Sequence, residues 1–200
     1  MLINYLRKFA TLPITIYDII EENYKKQKCT AMKDVRLYPQ SRIENFQAKK
    51  SAIVIESHCR IKGQLLVYGH SGRIKIGQYS FIGEGSYIWS SSSVTIGNRV
   101  LISHGVNIHD GNAHSLSAEN RHKHFYDIIT SGMPSVLEDV EDEPIIIQDD
   151  VWIGFNSTIL KGVTIGHGAI IGACSLVMKN VAPYTIVAGN PCEVLGNARK

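Results

Sequence analysis

Three histidines spaced five residues apart, His104, His109 and His114, are the first side chains in this 200-residue sequence whose type and spacing suggest chemistry. An imidazole titrates near neutral pH, so it can take a proton from one group and return it to another. His114 is singled out by position: it ends Asp110-Gly111-Asn112-Ala113-His114, where an aliphatic pattern running in steps of six stops. By spacing alone a structural and a functional histidine are equally open there. Lys179 would offer charge to an anionic ligand and reads equally well as a surface lysine. The four cysteines, Cys29, Cys59, Cys174 and Cys192, stand far apart with no CxxC pair and no metal-ligand spacing, which fits buried thiols in a reduced compartment. Cys174 reads as a buried or packed corner residue rather than a nucleophile.

The elements that must hold these residues follow from the pattern itself. Aliphatic residues stand at Ile147, Ile153, Ile159, Ile165, Ile171 and Val177, and four residues after each comes a small or β-branched one: Val151, Ser157, Val163, Ala169, Ser175 and Val181. The same pattern runs through Ile55, Ile61 and Val67, through Ile76, Ile82 and Ile88, and through Ile96, Ile102 and Ile108. A period of six matches neither a helix nor a long amphipathic strand, and fits short strands joined by turns. Three hexads make one triangular turn, so fifteen aliphatic slots predict a five-coil β-solenoid. With 27 Ile, 14 Val and 12 Leu the composition is β-rich. An ordinary sandwich does not generate six evenly spaced hexads.

Ile76-Gly77-x-x-Ser80, Ile82 to Ser86 and Ile153 to Ser157, with Asp150-Val151-Trp152-Ile153-Gly154 and Ala188-Gly189-Asn190-Pro191-Cys192, resemble the hexapeptide-repeat acyltransferases. The nearest likeness is to sugar O-acetyltransferases of the maltose and galactoside type and their relatives in surface-polysaccharide synthesis, over about residues 51–195. The resemblance implies a left-handed parallel β-helix, a homotrimer with active sites between subunits, and acetyl-coenzyme A as acyl donor. It makes His114 the catalytic base that removes the proton of a sugar hydroxyl as the oxygen attacks the thioester. Phe155 and Ala173, in one slot three hexads apart, would border a groove. The resemblance places them with Met178 and Lys179 along the coenzyme channel, and Trp152 as a wall of it or a packing residue. Glu193 and Gly196 stand where the galactoside-type enzymes have arginines near the coenzyme phosphates, so Lys161, Arg199 or Lys200 is expected to compensate. Glu84 and Asn112 are candidates for acceptor contact, with a solvated turn the plainer reading of Glu84. The acceptor is expected to be a saccharide, a sugar nucleotide or a lipid-linked glycan, and not a simple galactoside.

Two other classes compete. The His104, His109, His114 spacing is similar to that of the zinc enzymes of the γ-class carbonic anhydrases, although His58 and His70 stand at another hexad phase. A non-catalytic trimeric solenoid is the third class.

Residues 1–50 are expected to form a helical or irregular cap, with a helix from Asp18 to Gln27. Residues 51–195 form the β-helix, a loop over 114–143 leaves it, and 196–200 form a tail. That loop holds Arg121-His122-Lys123-His124, Gly132-Met133-Pro134 and the acids Glu138 to Glu143. A net charge of +3 does not point to nucleic acid. Arg7 and Lys8 follow the first apolar residues and Pro13 interrupts the next run, which argues against a signal peptide. A cytoplasmic protein is the expectation, with contact of its N-terminus with a membrane surface the lesser reading.

Overall fold

A computed structural model describes residues 16–132 and 139–199. The readings made on Arg7, Lys8, Pro13, Met133, Pro134, Glu138 and Lys200 lie outside the described residues. Helix α1, over residues 16–26, leads into a left-handed parallel β-helix of six coils with three faces. The first coil consists of Thr30–Ala31, Arg36–Leu37 and Arg42–Asn45, and the sixth of Thr164–Ile165, Ile170–Ile171 and Leu176–Val177. Each strand pairs in parallel with the equivalent strand one coil away. Thr185–Gly189 continues the second face, and Cys192–Asn197 closes it as an antiparallel hairpin.

The interior is a prism of aliphatic side chains. Ile61, Ile82, Ile102, Ile153 and Ile171 line up on the second face through the register and are all fully buried. At the corners the small slot is often serine. Ser80, Ser86 and Ser157 each donate a hydroxyl hydrogen to the carbonyl of Gly97, Ser103 and Gly172 on the next coil, at 2.8–2.9 Å. A buried hydroxyl with such a partner satisfies a backbone group that a corner would otherwise strand.

The solenoid differs from the sequence expectation in three places. It has six coils rather than five and begins at Thr30 inside the expected cap, because Ala31, Leu37 and Ile43 are themselves hexad-spaced and pair with Ile55, Ile61 and Leu65. The alanine in the first slot hides the pattern. In the second coil the register partner of Ile88 is Leu65, not Val67, which pairs with Ser90. The corner between Ile61 and Leu65 is two residues shorter than its equivalent between Ile82 and Ile88. It turns at Gly63, where a Cβ would stand 2.7 Å from the Ser86 carbonyl oxygen. The 114–143 segment is not only loop: it contains helix α2, Ala118–Ser131, capped by the Ser117 hydroxyl and ended by Gly132 at φ +89°.

Candidate active site

The chain leaves the fourth coil after Asn107–His109 and returns at Ile145–Ile147. The exit is anchored by Asp110, a buried carboxylate whose Oδ2 accepts from the Ser90 hydroxyl at 2.6 Å and the Ser92 amide at 3.0 Å. Its Oδ1 accepts from the Ser91 amide at 2.7 Å and the Ser91 hydroxyl at 3.1 Å. Ser90, Ser91 and Ser92 of the serine run therefore hold one carboxylate. The two limbs of the excursion are tied by a Gly111–Asp142 bridge and by the Glu143 amide donating to the Asp110 carbonyl at 2.8 Å. Asn112 is one of those ties, its amide donating to the Glu141 carbonyl at 3.2 Å.

Between this anchor and buried Ser115, whose hydroxyl donates to Asp139, the His114 ring is exposed. Its Nδ1 lies 3.3 Å from Nδ1 of His124, which α2 carries to it. Desolvation, reinforced by the facing His114 and opposed by Asp127, holds His124 below the ordinary imidazole range. A neutral pair shares one hydrogen between the two Nδ1 atoms. When His114 donates it, the lone pair of His114 sits on Nε2, as a base requires. Sequence reasoning treated His124 as part of a charged loop. His114 lies outside α2, so no sequence period relates the two positions, and the pairing follows only from how α2 folds back.

Behind the excursion, Leu66, Trp89 and His109 align on the outer surface of the third face. Trp89 and His109 stack with centroids 4.8 Å apart, and burial pushes His109 below the usual imidazole range against the pull of Asp110. Among the described residues, the buried side-chain polar atoms without a hydrogen-bond partner are Trp89 Nε1, His124 Nε2 and Asp142 Oδ1. All three belong to the excursion or to the face behind it.

A second set of candidate residues lies at another corner, between the second and third faces. Gly85, Gly105, Asn156 and Cys174 all take left-handed φ there. The amides of Gly105, Asn156 and Cys174 donate to the carbonyls of Glu84, His104 and Phe155. That repeat stacks Glu84, His104, Phe155 and Ala173 into one column. His104 and Phe155 have parallel rings 5.2 Å apart, and Phe155 and Ala173 are exposed. Trp152 is exposed on the adjoining strand, its Nε1 3.4 Å from the Ser103 hydroxyl. Cys174 stands at this corner and is exposed rather than buried, because the left-handed turn residue points away from the core.

The two sets are not brought together within one chain. Met178 and Lys179, both exposed, follow Leu176–Val177 at the corner from which the excursion departs, so they stand away from Phe155 and Ala173. Glu84 belongs to the Phe155 column and Asn112 to the excursion. Lys161 does not stand free for a phosphate, since it lies 2.7 Å from Glu141 and 3.6 Å from Glu143. Glu193 and Gly196 are exposed on the closing strand, and the Arg199 guanidinium covers the Tyr184 ring at 4.0 Å. His104, His109 and His114 take three different partners, Phe155, Trp89 and His124. Among the described residues no group of three His, Cys, Asp or Glu is placed to hold a metal.

The repeats match two family models, the six-repeat bacterial transferase hexapeptide over residues 144–179 and the hexapeptide repeat of succinyl-transferase over residues 73–109. The third to sixth coils carry the hexapeptide repeats that these models describe. The chain is 34% identical over 109 residues to an Escherichia coli K12 protein named as a lipopolysaccharide biosynthesis O-acetyl transferase, WbbJ. That match covers 54% of this chain and 53% of the relative, so the hexapeptide-repeat chain spans about half the relative's length. A hexapeptide-repeat-containing acetyltransferase of Vibrio cholerae, solved with acetyl coenzyme A, superposes with a TM-score of 0.60 at 25% identity, over 88% of this chain and 75% of that one. AntD, an N-acyltransferase of Bacillus cereus solved with dTDP-4-amino-4,6-dideoxyglucose and coenzyme A, has the same fold, with a TM-score of 0.70 at 20% identity over 90% and 89% of the two chains.

Proposed function

We propose that this protein transfers an acetyl group from acetyl-coenzyme A to a hydroxyl of a saccharide in polysaccharide biosynthesis, with His114 as general base. The observation that carries this reading is the exposed His114 ring, held at the exit from the coil by the Asp110 anchor and paired through Nδ1 with His124. His114 Nε2 takes the hydroxyl proton as the sugar oxygen bonds to the thioester carbonyl carbon. The carbon–sulfur bond then breaks, and the same proton passes to the departing thiolate to give free coenzyme A. Backbone amides of a coil supply hydrogen bonds to the intermediate oxyanion.

The coenzyme runs along the exposed column of Phe155 and Ala173, walled by Trp152. Because that column and His114 occupy different corners of one chain, the complete site combines the His114 corner of one copy with the Phe155 corner of another. A homotrimer supplies this arrangement. It also covers Leu116, Phe125, Tyr126 and Ile129, large apolar side chains of the excursion that are exposed in the single chain. Met178 and Lys179, at the His114 corner, face the same bound coenzyme from the other side. Glu84 and Asn112 contact the acceptor, and the protein works in the cytoplasm.

The test is a screen of sugar nucleotides and lipid-linked oligosaccharides with acetyl-coenzyme A, run beside His114→Ala. The variant is expected to remain folded and to lose about 10²- to 10⁴-fold in acetyl transfer, the range for loss of a general base. Equal rates in both proteins would overturn the assignment.

A further inference from the structure

Helix α1 is turned inside out relative to a usual surface helix. Its charged side chains face the first coil, where they satisfy backbone groups at the open end of the solenoid. Glu22 accepts from the Leu37 amide at 3.2 Å, and the buried Lys25 ammonium donates to the Tyr38 and Pro39 carbonyls at 2.9 and 3.0 Å. Lys25 and Lys26 also pair with Glu21 and Glu22, both at 2.9 Å. This use of the charged side leaves Ile16, Tyr17, Ile19, Ile20 and Tyr24 pointing outward, each more than half exposed. A surface helix normally buries such a stripe, and an apolar patch of this kind marks a partner.

The surroundings say what chemistry the partner has. Residues 1–50 hold ten basic and five acidic side chains, whereas the other 150 hold eleven and thirteen. Among the described residues, 16–50 hold eight basic and five acidic side chains and the remainder ten and twelve, so the excess positive charge lies at the end that carries the stripe. Beside α1 a groove of about 710 Å³ is lined by Tyr24, Lys28, Phe46 and Lys50 and by one acid, Glu44, with the Lys28 ammonium 4.5 Å above the Tyr24 ring. In the sequence, residues 1–15 precede the stripe and include Leu2, Ile3, Leu6, Phe9, Leu12 and Ile14, and their charges are Arg7 and Lys8. No helix among the described residues is long and apolar enough to cross a membrane.

We propose that the outward face of α1 lies on an anionic lipid surface, its isoleucines and tyrosines at the headgroup–acyl boundary and Lys28 and Lys50 on lipid phosphates. This takes up the lesser of the two sequence readings, contact of the N-terminal end with a membrane surface. It does not rest on the acetyl-transfer reading, although a lipid-linked acceptor would be met at such a surface.

The experiment is co-sedimentation of the full chain with vesicles of phosphatidylcholine, alone or with about 30 mol % phosphatidylglycerol. Wild type is expected to pellet with the anionic vesicles at least about tenfold more strongly than with the neutral ones, and to be released by high salt. The Ile16→Glu/Ile20→Glu variant changes two exposed residues to good helix formers. It should keep its circular dichroism and melting temperature and lose at least about tenfold in vesicle binding. Wild type remaining in the supernatant would overturn the proposal, as would a variant that binds like wild type. A variant that splits a larger assembly while neither protein binds vesicles would assign the stripe to a contact between copies.

Discussion

The coil stack and the excursion over residues 110–143 solve opposite problems. In the stack every coil repeats the one before it, so isoleucines fall on isoleucines, hydroxyls on carbonyls and left-handed turns on left-handed turns. The excursion has no repeat to lean on. Among its described residues it is held by the buried Asp110 carboxylate, the Gly111–Asp142 bridge, the Asn112 and Glu143 amides and the Lys161–Glu141 ion pair, and its helix buries no side chain. The buried polar atoms that lack partners among the described residues lie in it or behind it. Repetition gives this molecule its stability, and departure from repetition gives it titratable side chains in unsatisfied surroundings, which is where chemistry is usually found.

Substitutions on the two sides of this divide should differ in a set order. The largest loss belongs to the stack: Ile102→Ala, in a fully buried slot with neighbours above and below, should cost about 2–5 kcal/mol in denaturant unfolding. A truncation on α2 away from the apolar side chains that the proposed trimer covers, Lys123→Ala, should stay within about 0.5 kcal/mol. Similar values for the two would remove the distinction. Next comes the anchor. Asp110→Asn places an amide against the donors that the carboxylate accepts from, and should cost about 1–3 kcal/mol. Hydrogen exchange should accelerate across residues 110–132 while the coil amides stay protected; uniform loosening would place Asp110 in the stack's own economy.

The smallest effect is a pH dependence. His109 is held neutral by burial, below the 6.5 of a free imidazole. The unfolded chain therefore binds a proton that the folded chain refuses, so this contribution to stability is present above about pH 6.5 and fades as pH falls below it. His124 acts in the same direction. Melting temperature should decline from pH 7.5 to 5, and less steeply in His109→Phe than in wild type. An equal slope in the two proteins would show that His109 is not the group that refuses the proton.

What the sequence made legible follows the same division. The hexads placed most of the interior residues on their faces, because a period of six with β-branched residues has few physical solutions. They missed the first coil, where Ala31 stands in an aliphatic slot, and misread the second, where a shortened corner at Gly63 moved the register to Leu65. For the site, the break at His114 was visible as an interruption. Its pairing with His124 was not, since the contact depends on how α2 folds back and no period relates the two positions. Nor did spacing alone separate the corners: Phe155 and Ala173 share a column by arithmetic, whereas Met178 and Lys179 lie around the next corner because the chain turns between them.

That separation makes subunit complementation the most direct measurement. His114→Ala and Ala173→Trp each leave one corner intact and spoil the other, Ala173→Trp by filling the exposed coenzyme column. Each homogeneous variant should be inactive in acetyl transfer. Co-assembled in equal amounts, they should recover roughly a quarter of wild-type activity, because one site in four then joins an intact His114 corner to an intact Phe155 corner from another copy. Mixed assemblies with no more activity than either variant alone would contradict a site built from two corners of two copies.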